Sequence, residues 1–533
     1  GVGLNQNDLN KYFVGIGSMQ FDGNPCNKHL GKLQNIVKKS VNENKMVGLN
    51  FNTIGVSDGI TNGNSGMHYS LPSRELIADS IETMINAHHY DGYIMIPGCD
   101  KNLPASMMAM GRINRPSILL YGGSMLPGNY KKKTVDIVNA FQSYGELVDK
   151  KITIEEREKL LRSCCHKGGG SCSGMYTCNT MASISEVMGL SPPNSSSNPA
   201  TSKAKRLECF DVGYLLLNLL DRDIKPRDII TKESFYNAIK LTSILGGSTN
   251  AVLHLLAIAK EFDIDLTLND FDNIFQNTPV LGNLKPLGEF TMNDIYNIHG
   301  LPIIIKYLID HNILDGKTYT VTGYTLEENI NRMNLPKINF SKKVIYPLSN
   351  PFKKTSHIQI MKGNICPLGA VAKTSNKKIF KGPAKVFCSE DSMIEALENN
   401  LINKGDVVVI THQGPKSGPG MPELLKPSSA LVGAGLSDDV ALITDGRWSG
   451  GSHGILIGHI TPETYDDGLI GYIEDDDIIE INLESNELML EVHSSIIQHR
   501  KNLMFRNKKK YDNSYLNKYI KLVSNASNGC ITN

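Results

Sequence analysis

Residues 92–111, GYIMIPGCDKNLPASMMAMG, decide the fold of this chain. The apolar run Tyr93–Ile96 predicts a buried strand, which a Pro-Gly pair ends, and Leu103–Met110 predicts the first turns of a helix. In open α/β sheets, ligands bind where the carboxyl end of a strand meets the next helix. Cys99–Lys101, a Cys-Asp-Lys triplet, occupies that point. A thiol, a carboxylate and an amine in succession mark this turn as a candidate site.

The sequence around this stretch alternates between strands and helices. Tyr12–Ser18, Met46–Ile54 and Ser117–Tyr121 predict further strands, and helical periodicity lies between them, as in Leu33–Val41. Such alternation is typical of a doubly wound parallel sheet. We therefore predict an N-terminal α/β domain over residues 1–345 that has this architecture.

The pattern changes near residues 346–354, YPLSNPFKK. Short β-rich runs follow with turns between them, which is typical of a β-barrel. The predicted strands are His357–Met361, Ala384–Phe387, Val407–Thr411, Val440–Thr444, Ile455–Ile460, Ile470–Ile473 and Ile478–Leu483. We place a domain boundary here and predict a C-terminal β-barrel-like domain with flanking helices over residues 355–533.

The composition argues against several classes of protein. The chain has 533 residues, of which 40% are hydrophobic and 20% charged, and its formal net charge is +1. This charge gives no reason to expect nucleic acid or an acidic membrane as a partner, and no apolar run reaches the about 20 residues of a membrane span. The start at Gly1 without Met and the segment VNAFQSYGELV lead us to expect a mature or trimmed organellar protein. The expected compartment is the mitochondrial or plastid matrix, with the bacterial cytoplasm as the alternative.

The ten cysteines are too sparse for a disulfide scaffold. Cys26, Cys99 and Cys172 each lie in a loop with polar or glycine neighbours. The loop of Cys172, CCHKGGGSCSGMYTCNTMA (164–182), matches no standard zinc spacing. Reduced, partly buried thiols are the prediction for four isolated cysteines, Cys209, Cys366, Cys388 and Cys530.

Two carboxylates and a serine lie in irregular glycine-rich segments. Asp58 lies early in VSDGITNGNSGMHYSLPSREL, Glu423 lies in GPKSGPGMPELLKP, and Ser449 lies in TDGRWSGGSHG. An irregular stretch as long as the first one is more often functional than idle. A serine in a glycine-rich loop is usually a turn residue, so the motif alone leaves both turn formation and catalysis open for Ser449.

Two sites of different chemistry can lie side by side at Cys99 and Asp100. Thiolates are soft ligands suited to iron–sulfur clusters, whereas carboxylates suit hard cations such as Mg²⁺. If Cys26 and Cys172 join Cys99, the cluster has three protein ligands rather than the usual four, which leaves one iron open as a Lewis acid. Oxygens for a divalent metal beside it are available from Asp58, Asp100 and Glu423.

Five motifs, in this order, resemble the dihydroxy-acid dehydratase family of branched-chain amino-acid biosynthesis. They are GCDK, GGSCSGMYTCNTMA, LGGSTNAVLHL, GPKSGPGMPELL and ITDGRWSGGSHG. The resemblance covers essentially the whole chain, from NPCNKHL to SNGCITN. A match of five long motifs in order is highly specific.

The resemblance implies a role for each candidate residue and a cofactor for each set of ligands. The cluster, of the [2Fe–2S] kind because a cysteine stands at position 26, would be held by Cys26, Cys99 and Cys172. Mg²⁺ would be held by Asp58, Asp100, Glu423 and Lys101, the last carbamylated. Ser449 would be the base. The implied reaction dehydrates 2,3-dihydroxy-3-methylbutanoate and 2,3-dihydroxy-3-methylpentanoate to 2-oxo acids in valine and isoleucine biosynthesis, in a homodimer.

The chain departs from the family pattern at a few positions. His166 stands where members of the family usually have a cysteine, and Cys164 and Cys165 lie just upstream. Trp448 replaces a usual phenylalanine, so we expect a tighter pocket beside the serine. Cys178 replaces a typical alanine and is a candidate for oxidation.

Two alternatives remain. A sugar-acid or 6-phosphogluconate dehydratase of the same superfamily would need a longer and more polar pocket than the apolar residues around Leu245–Asn250 and Trp448 suggest. A non-catalytic iron–sulfur protein would have little need for Lys101, Glu423 and Ser449 together, although fold alone does not prove activity.

Overall fold

The computed structural model describes residues 2–148, 150–165, 168–373, 379–452, 454–503 and 515–533. Its first part is a four-stranded parallel sheet with the strand order β2-β1-β3-β4. These strands are β1 Phe13–Ser18, β2 Val47–Asn52, β3 Gly92–Ile96 and β4 Ser117–Leu119. The helices between them are α1 Leu30–Glu43, α2 Asp58–Thr61, α3 Ser70–Ala87 and α4 Asn102–Ile113. This arrangement confirms the predicted parallel α/β fold.

The central strand β3 is buried along its whole length, as its run of apolar residues predicts. Helix α1 packs against the strands of the sheet, and α4 packs against α3. A small hairpin and further helices extend this part of the chain. They are β5 Gly128–Tyr130, β6 Lys133–Val135, α5 Ile137–Val148, α6 Ile154–Ser163, α7 Thr177–Val187, α8 Lys203–Asp221, α9 Pro226–Ile229, α10 Lys232–Leu245, α11 Asn250–Glu261, α12 Leu268–Gln276, α13 Met292–Asn297, α14 Leu301–Asp310 and α15 Leu326–Arg332.

The second sheet has eight strands in the order β16-β15-β9-β10-β12-β14-β8-β7. They are β7 Ile358–Met361, β8 Gly369–Lys373, β9 Ile379–Phe387, β10 Val407–Ile410, β12 Ala441–Thr444, β14 Ile455–Thr461, β15 Ile478–Asn482 and β16 Glu487–Leu490. The short pair β11 Glu423–Leu424 and β13 Arg447–Trp448 lies apart from this sheet. The helices here are α16 Glu390–Glu398, α17 Lys426–Ala434, α18 Ser494–Leu503 and α19 Tyr515–Leu522.

The two edges of the eight-stranded sheet come together, which makes it barrel-like. The Lys362 amide donates a hydrogen bond to the carbonyl of Asn486 at 2.9 Å, and the Leu488 amide donates to the carbonyl of Lys362 at 2.7 Å. These bonds join the end of β7 to the start of β16. The edge strands are thereby paired, which removes the exposed edge that an open sheet would present.

Some local predictions were wrong. Ile470–Ile473 was predicted as a strand, but Leu469–Tyr472 forms a 3₁₀ turn. A short apolar run fits a strand and a buried turn equally well, since both place its side chains in the core. Strands β8 and β16 were not predicted at all. Among the described residues, no helix has the length and apolarity that crossing a bilayer requires. The domain limits near residues 346–354 stay a prediction.

Candidate active site

Three loops bring the predicted thiols together. Cys26 follows β1, Cys99 follows the adjacent strand β3, and Cys172 precedes α7. Cys26 and Cys99 are buried, whereas Cys172 is half-buried. Hydrogen bonds with Cys172 and Cys99, followed by burial, raise the pKa of the Cys26 thiol well above its ordinary value. The three cysteines that the sequence singled out therefore form one cluster of thiols.

Local hydrogen bonds fix the two buried cysteines. The Cys26 amide donates to Asn24 Oδ1 at 2.9 Å, and the Cys99 amide donates to Asn102 Oδ1 at 3.0 Å. The two loops approach closely at Gly98, where an added Cβ would lie 2.8 Å from the carbonyl oxygen of Cys26. A glycine is therefore required for the first two thiols to meet.

The predicted carboxylates also converge. Asp58 begins α2, Asp100 follows Cys99, and Glu423 begins β11. One oxygen atom from each of these three groups lies within 4.8 Å of the other two. Ser70 Oγ donates to Asp58 Oδ1 at 2.8 Å and helps to orient it. A compact set of oxygens of this kind fits the ligands that Mg²⁺ takes in proteins.

Lys101 lies among these carboxylates with its side chain fully buried. Its Nζ is 2.6 Å from Asp58 Oδ2 and 3.5 Å from Glu423 Oε2. Burial and the charge of Arg447 lower the pKa of Lys101, but the carboxylates around it, Asp58 first, outweigh these effects and the net pKa is raised. Burial, and then the charges of Asp58 and Glu423, raise the pKa of Asp100 to about 8. Three carboxyl groups thus share one site with Lys101 and Arg447, and the charges of Asp58 and Glu423 add to burial in raising the pKa of Asp100.

Glu423 receives further hydrogen bonds besides the contact with Lys101. Asn250 Nδ2 and the Gly450 amide donate to Oε1 at 3.1 and 3.3 Å, and Arg447 Nη1 donates to Oε2 at 3.3 Å. Burial raises the pKa of Glu423, but Lys101 and Arg447 outweigh it and the net pKa is lowered. Glu423 is therefore held ionised, which a metal ligand needs.

Ser449 lies in the loop after β13 and is half-buried. Its side chain donates a hydrogen bond to Glu423, which is one of the contacts that lower the pKa of Glu423. Its Oγ accepts from the Gly451 amide at 3.3 Å, and its own amide donates to the Leu424 carbonyl at 3.3 Å. The structure thus places the serine directly beside the carboxylate cluster.

The sequence alone did not identify three residues that support this site. Asn250 and Arg447 lie inside motifs that it singled out, but only the structure shows that both are buried against Glu423. Lys373, at the end of β8, is also buried, and its Nζ donates to the carbonyls of Gly450 and Ser452 at 3.3 and 2.5 Å. The local sequence around Lys373 gives no indication that this lysine contacts the loop that carries Ser449.

The positions that depart from the family pattern have different surroundings. Cys164 is buried and its Sγ donates to the Leu160 carbonyl at 3.2 Å, whereas Cys165 is exposed. His166 lies outside the described residues. Trp448 packs in an apolar cluster with residues of the second sheet. This packing places the tryptophan in the core, so the expected narrowing of a pocket beside Ser449 finds no support.

Comparison with known proteins gives a consistent result over the whole chain. The model of the dihydroxy-acid/6-phosphogluconate dehydratase N-terminal domain matches residues 11–329, and that of the C-terminal domain matches residues 343–530. A dihydroxy-acid dehydratase of Francisella tularensis subsp. novicida is 51% identical over 100% of this chain and 95% of its own length. A chloroplastic dihydroxy-acid dehydratase of Arabidopsis thaliana is 50% identical over 100% of this chain and 88% of its own.

A mitochondrial dihydroxy-acid dehydratase of Aspergillus terreus is similar to the same extent, with 49% identity over 100% of this chain and 89% of its own length. Bacterial, plant and fungal relatives therefore all align from end to end with this sequence. These matches cover both the N-terminal and the C-terminal parts of the chain. This chain belongs to the dihydroxy-acid/6-phosphogluconate dehydratase family.

Proposed function

We propose that this chain is a dihydroxy-acid dehydratase, a hydro-lyase. It removes water from 2,3-dihydroxy-3-methylbutanoate and 2,3-dihydroxy-3-methylpentanoate to give 2-oxo acids in valine and isoleucine biosynthesis. Relatives with this name are about half identical to it over nearly their whole length. The observation that carries the proposal is the convergence of Lys101, Glu423 and Ser449 beside three clustered thiols.

The donor sets support one cofactor of each kind. We propose that a [2Fe–2S] cluster is held by Cys26, Cys99 and Cys172. We propose that Mg²⁺ is held by Asp58, Asp100, Glu423 and a carbamylated Lys101. The clustered thiols suit iron, and the carboxylate oxygens, all within 4.8 Å of one another, suit a hard cation. When bound, the two groups supply Lewis acidity to the carboxylate and hydroxyl oxygens of the substrate.

Carbamylation explains why a lysine lies among carboxylates that we propose as metal ligands. A buried ammonium 2.6 Å from Asp58 competes with a divalent cation for the same oxygens. The neutral amine of Lys101 can attack CO₂, so that an N–C bond forms and one proton leaves to solvent. The product is an anionic oxygen donor in place of a cation. Lys101 thereby changes from a competitor of the metal to a ligand for it.

In the proposed dehydration one residue acts as the base and others position it. Ser449, as its alkoxide, takes the proton from C2, and the electron pair of that C–H bond forms a C2–C3 double bond as the C3–O bond breaks. The departing hydroxide takes the proton back from Ser449 and leaves as water. A neutral hydroxyl is too weak a base for this step, so Ser449 must be activated in the site. Glu423 accepts a hydrogen bond from the neutral Ser449 hydroxyl and so orients Oγ before that proton is lost, and Asn250 and Arg447 fix Glu423 in turn. The enol that remains tautomerises to the 2-oxo acid.

The test is anaerobic purification, an iron count and visible spectrum, and an assay of 2-oxo acid formation with and without Mg²⁺. We expect iron with a [2Fe–2S] spectrum and turnover that depends on Mg²⁺. Ser449→Ala should keep the iron and lose turnover. Ser485→Ala, at an exposed turn, is the matched control and should keep both. Iron without dehydration in the wild type would instead favour a non-catalytic iron–sulfur protein.

The other activity named by the family, dehydration of 6-phosphogluconate or a related sugar acid, is tested on the same preparation. We expect turnover of 2,3-dihydroxy-3-methylbutanoate to exceed that of gluconate and 6-phosphogluconate. Preference for either sugar acid would overturn the proposed substrate.

We also propose that the chain forms a homodimer and works in a mitochondrial or plastid matrix, with the bacterial cytoplasm as the alternative. Relatives of all three kinds, bacterial, chloroplastic and mitochondrial, support this range of locations. Light scattering of the purified protein tests the dimer, and a monomeric mass would contradict it.

A further inference from the structure

The buried side chain of Asn179 ties the loop of Cys172 to the start of α7. Asn179 is completely buried. Its Nδ2 donates to the carbonyl of Cys172 at 2.6 Å and to the carbonyl of Gly174 at 2.6 Å. Its Oδ1 accepts from the Tyr121 hydroxyl at 2.7 Å. Both amide hydrogens and the amide oxygen of Asn179 are therefore engaged.

The orientation of this amide is fixed by its partners. The two loop carbonyls can only accept hydrogen bonds, so the NH₂ group of Asn179 must face them. The amide oxygen then faces Tyr121, which is itself fully buried and lies two residues beyond the end of β4. The neighbouring Cys178 Sγ contacts Ser171 Oγ at 3.2 Å, and Ser171 donates to the carbonyl of Gly98. The loop of Cys172 is thus fastened to the loop of Cys99 through one buried network.

An asparagine side chain contacts the backbone of each clustered cysteine, but the three contacts differ. Cys26 and Cys99 are held through their amides by asparagines two and three positions away in sequence. Cys172 is held through its carbonyl by Asn179, seven positions away and on a different element. Cys172 is also the least buried of the three thiols. The Asn179 contact therefore joins the Cys172 carbonyl to helix α7.

We propose that Asn179 is a positioning residue that sets the third thiol of the cluster by holding the carbonyls of Cys172 and Gly174. The proposal rests on the proposed function as far as iron is concerned. Partners outside the ligands themselves commonly change metal affinity by about 10- to 100-fold. An isosteric Asn179→Asp change replaces the NH₂ group, which donates both hydrogen bonds, with one carboxylate oxygen that faces two carbonyls, and should release the loop.

The test compares Asn179→Asp with Asn237→Asp. Asn237 is a matched control, because it is also buried in a helix and also holds one loop residue, with 2.9 Å bonds to the carbonyl and from the amide of Asp315. In cluster-free protein, we expect the rate of Cys172 alkylation, measured by mass spectrometry, to rise several-fold only in Asn179→Asp. In reconstituted protein, we expect that variant to lose iron in air about 10-fold faster than the control.

Tyr121→Phe is a second variant, which removes the hydroxyl that donates to Asn179 Oδ1 and leaves the Cys172 loop itself unchanged. We expect Cys172 alkylation and iron loss to be faster than in wild type, but by less than in Asn179→Asp. Equal alkylation and iron loss in Asn179→Asp and Asn237→Asp would overturn the inference. If Asn179→Asp does not fold, wild-type behaviour of Tyr121→Phe would overturn it instead. If the wild type binds no iron, the proposed cofactor fails, while the alkylation result still decides the role of Asn179.

Discussion

At the scale of single residues, the proposed carbamylation of Lys101 leads to the most specific prediction. Its amine lies between two carboxylates from distant parts of the chain and has no exposed surface. An arginine there would keep the positive charge and most of the ion pairing. A guanidinium stays protonated at all accessible pH values, so it cannot attack CO₂.

We therefore predict that Lys101→Arg lowers Mg²⁺-dependent turnover by about a hundredfold or more, while the protein still folds. The measurement is 2-oxo acid formation over a range of Mg²⁺ concentrations, together with circular dichroism. Lys285→Arg is the control, because Lys285 forms an ion pair with Asp136 elsewhere in the structure. Full Mg²⁺-dependent activity in Lys101→Arg would exclude a carbamate at this position.

Lys373 has a different consequence, which appears as a dependence of stability on pH. Burial, and then the charge of Lys353, lower the pKa of Lys373 from 10.5 to about 7. The protonated form is thus disfavoured in the folded protein and costs stability below about pH 7. That cost is relieved as the pH rises from about 7 towards 10.5, because the unfolded chain keeps the proton over this window.

We predict that wild type gains stability relative to Lys373→Met as the pH rises, with a slope of at most about 1.4 kcal/mol per pH unit. The measurement is the difference between the denaturation midpoints of the two proteins at several pH values. Other titrating groups cancel in this difference. A difference that stays constant with pH would contradict the lowered pKa.

At the scale of elements, α5 and α17 show how packing supports the site. Gly145 of α5 and Gly433 of α17 meet, and a Cβ on Gly433 would lie 2.5 Å from backbone atoms of Gly145. Backbone atoms cannot move aside as a flexible side chain can. Helix α17 begins at Lys426, just after Glu423, so a shift of this helix is transmitted to the site.

We predict that Gly433→Ala destabilises the protein by about 1–3 kcal/mol and lowers turnover, because overpacking forces the two helices apart. Gly31→Ala in α1 is the control, since its Cβ would meet only the side chain of Gln20, at 3.2 Å. The measurements are the denaturation midpoint and 2-oxo acid formation. An unchanged midpoint in Gly433→Ala would show that the helix pair can relax without cost.

Elements also show what the sequence could and could not predict. The run Tyr93–Ile96 is fully apolar and bounded by Pro and Gly, so its burial as β3 follows from local pattern. Strand β8, GAVAK, has a Pro and a Gly at its start but only one β-branched residue, and its pairing with β14 is a long-range contact that local pattern does not report. Local pattern has the same limit at the site. It identified the reactive side chains in the loops, but the roles of Arg447 and Lys373 depend on their burial by elements that are distant in sequence.

At the scale of the whole molecule, the candidate site joins the two sheets. Asp58, Asp100 and Lys101 come from the loops of the first sheet, whereas Glu423 and Ser449 follow from the second part of the chain. The contact between Lys101 and Glu423 spans 322 residues of sequence. The Mg²⁺ that we propose would take oxygens from both parts, so it would stabilise their association as well as the site.

We predict that Mg²⁺ raises the denaturation midpoint of the iron-loaded protein and that chelation lowers it. A ligand that binds only the folded state adds about 2.7 kcal/mol at a concentration one hundred times its Kd. Thermal melts followed by tryptophan fluorescence and circular dichroism measure the shift. Trp448, the only tryptophan, lies in β13 and reports on the second part, whereas circular dichroism reports on all helices. Glu423→Gln should abolish the shift, because it removes the one carboxylate that the second part contributes. The same Mg²⁺ shift in Glu423→Gln and wild type would mean that the cation binds elsewhere and does not link the two sheets.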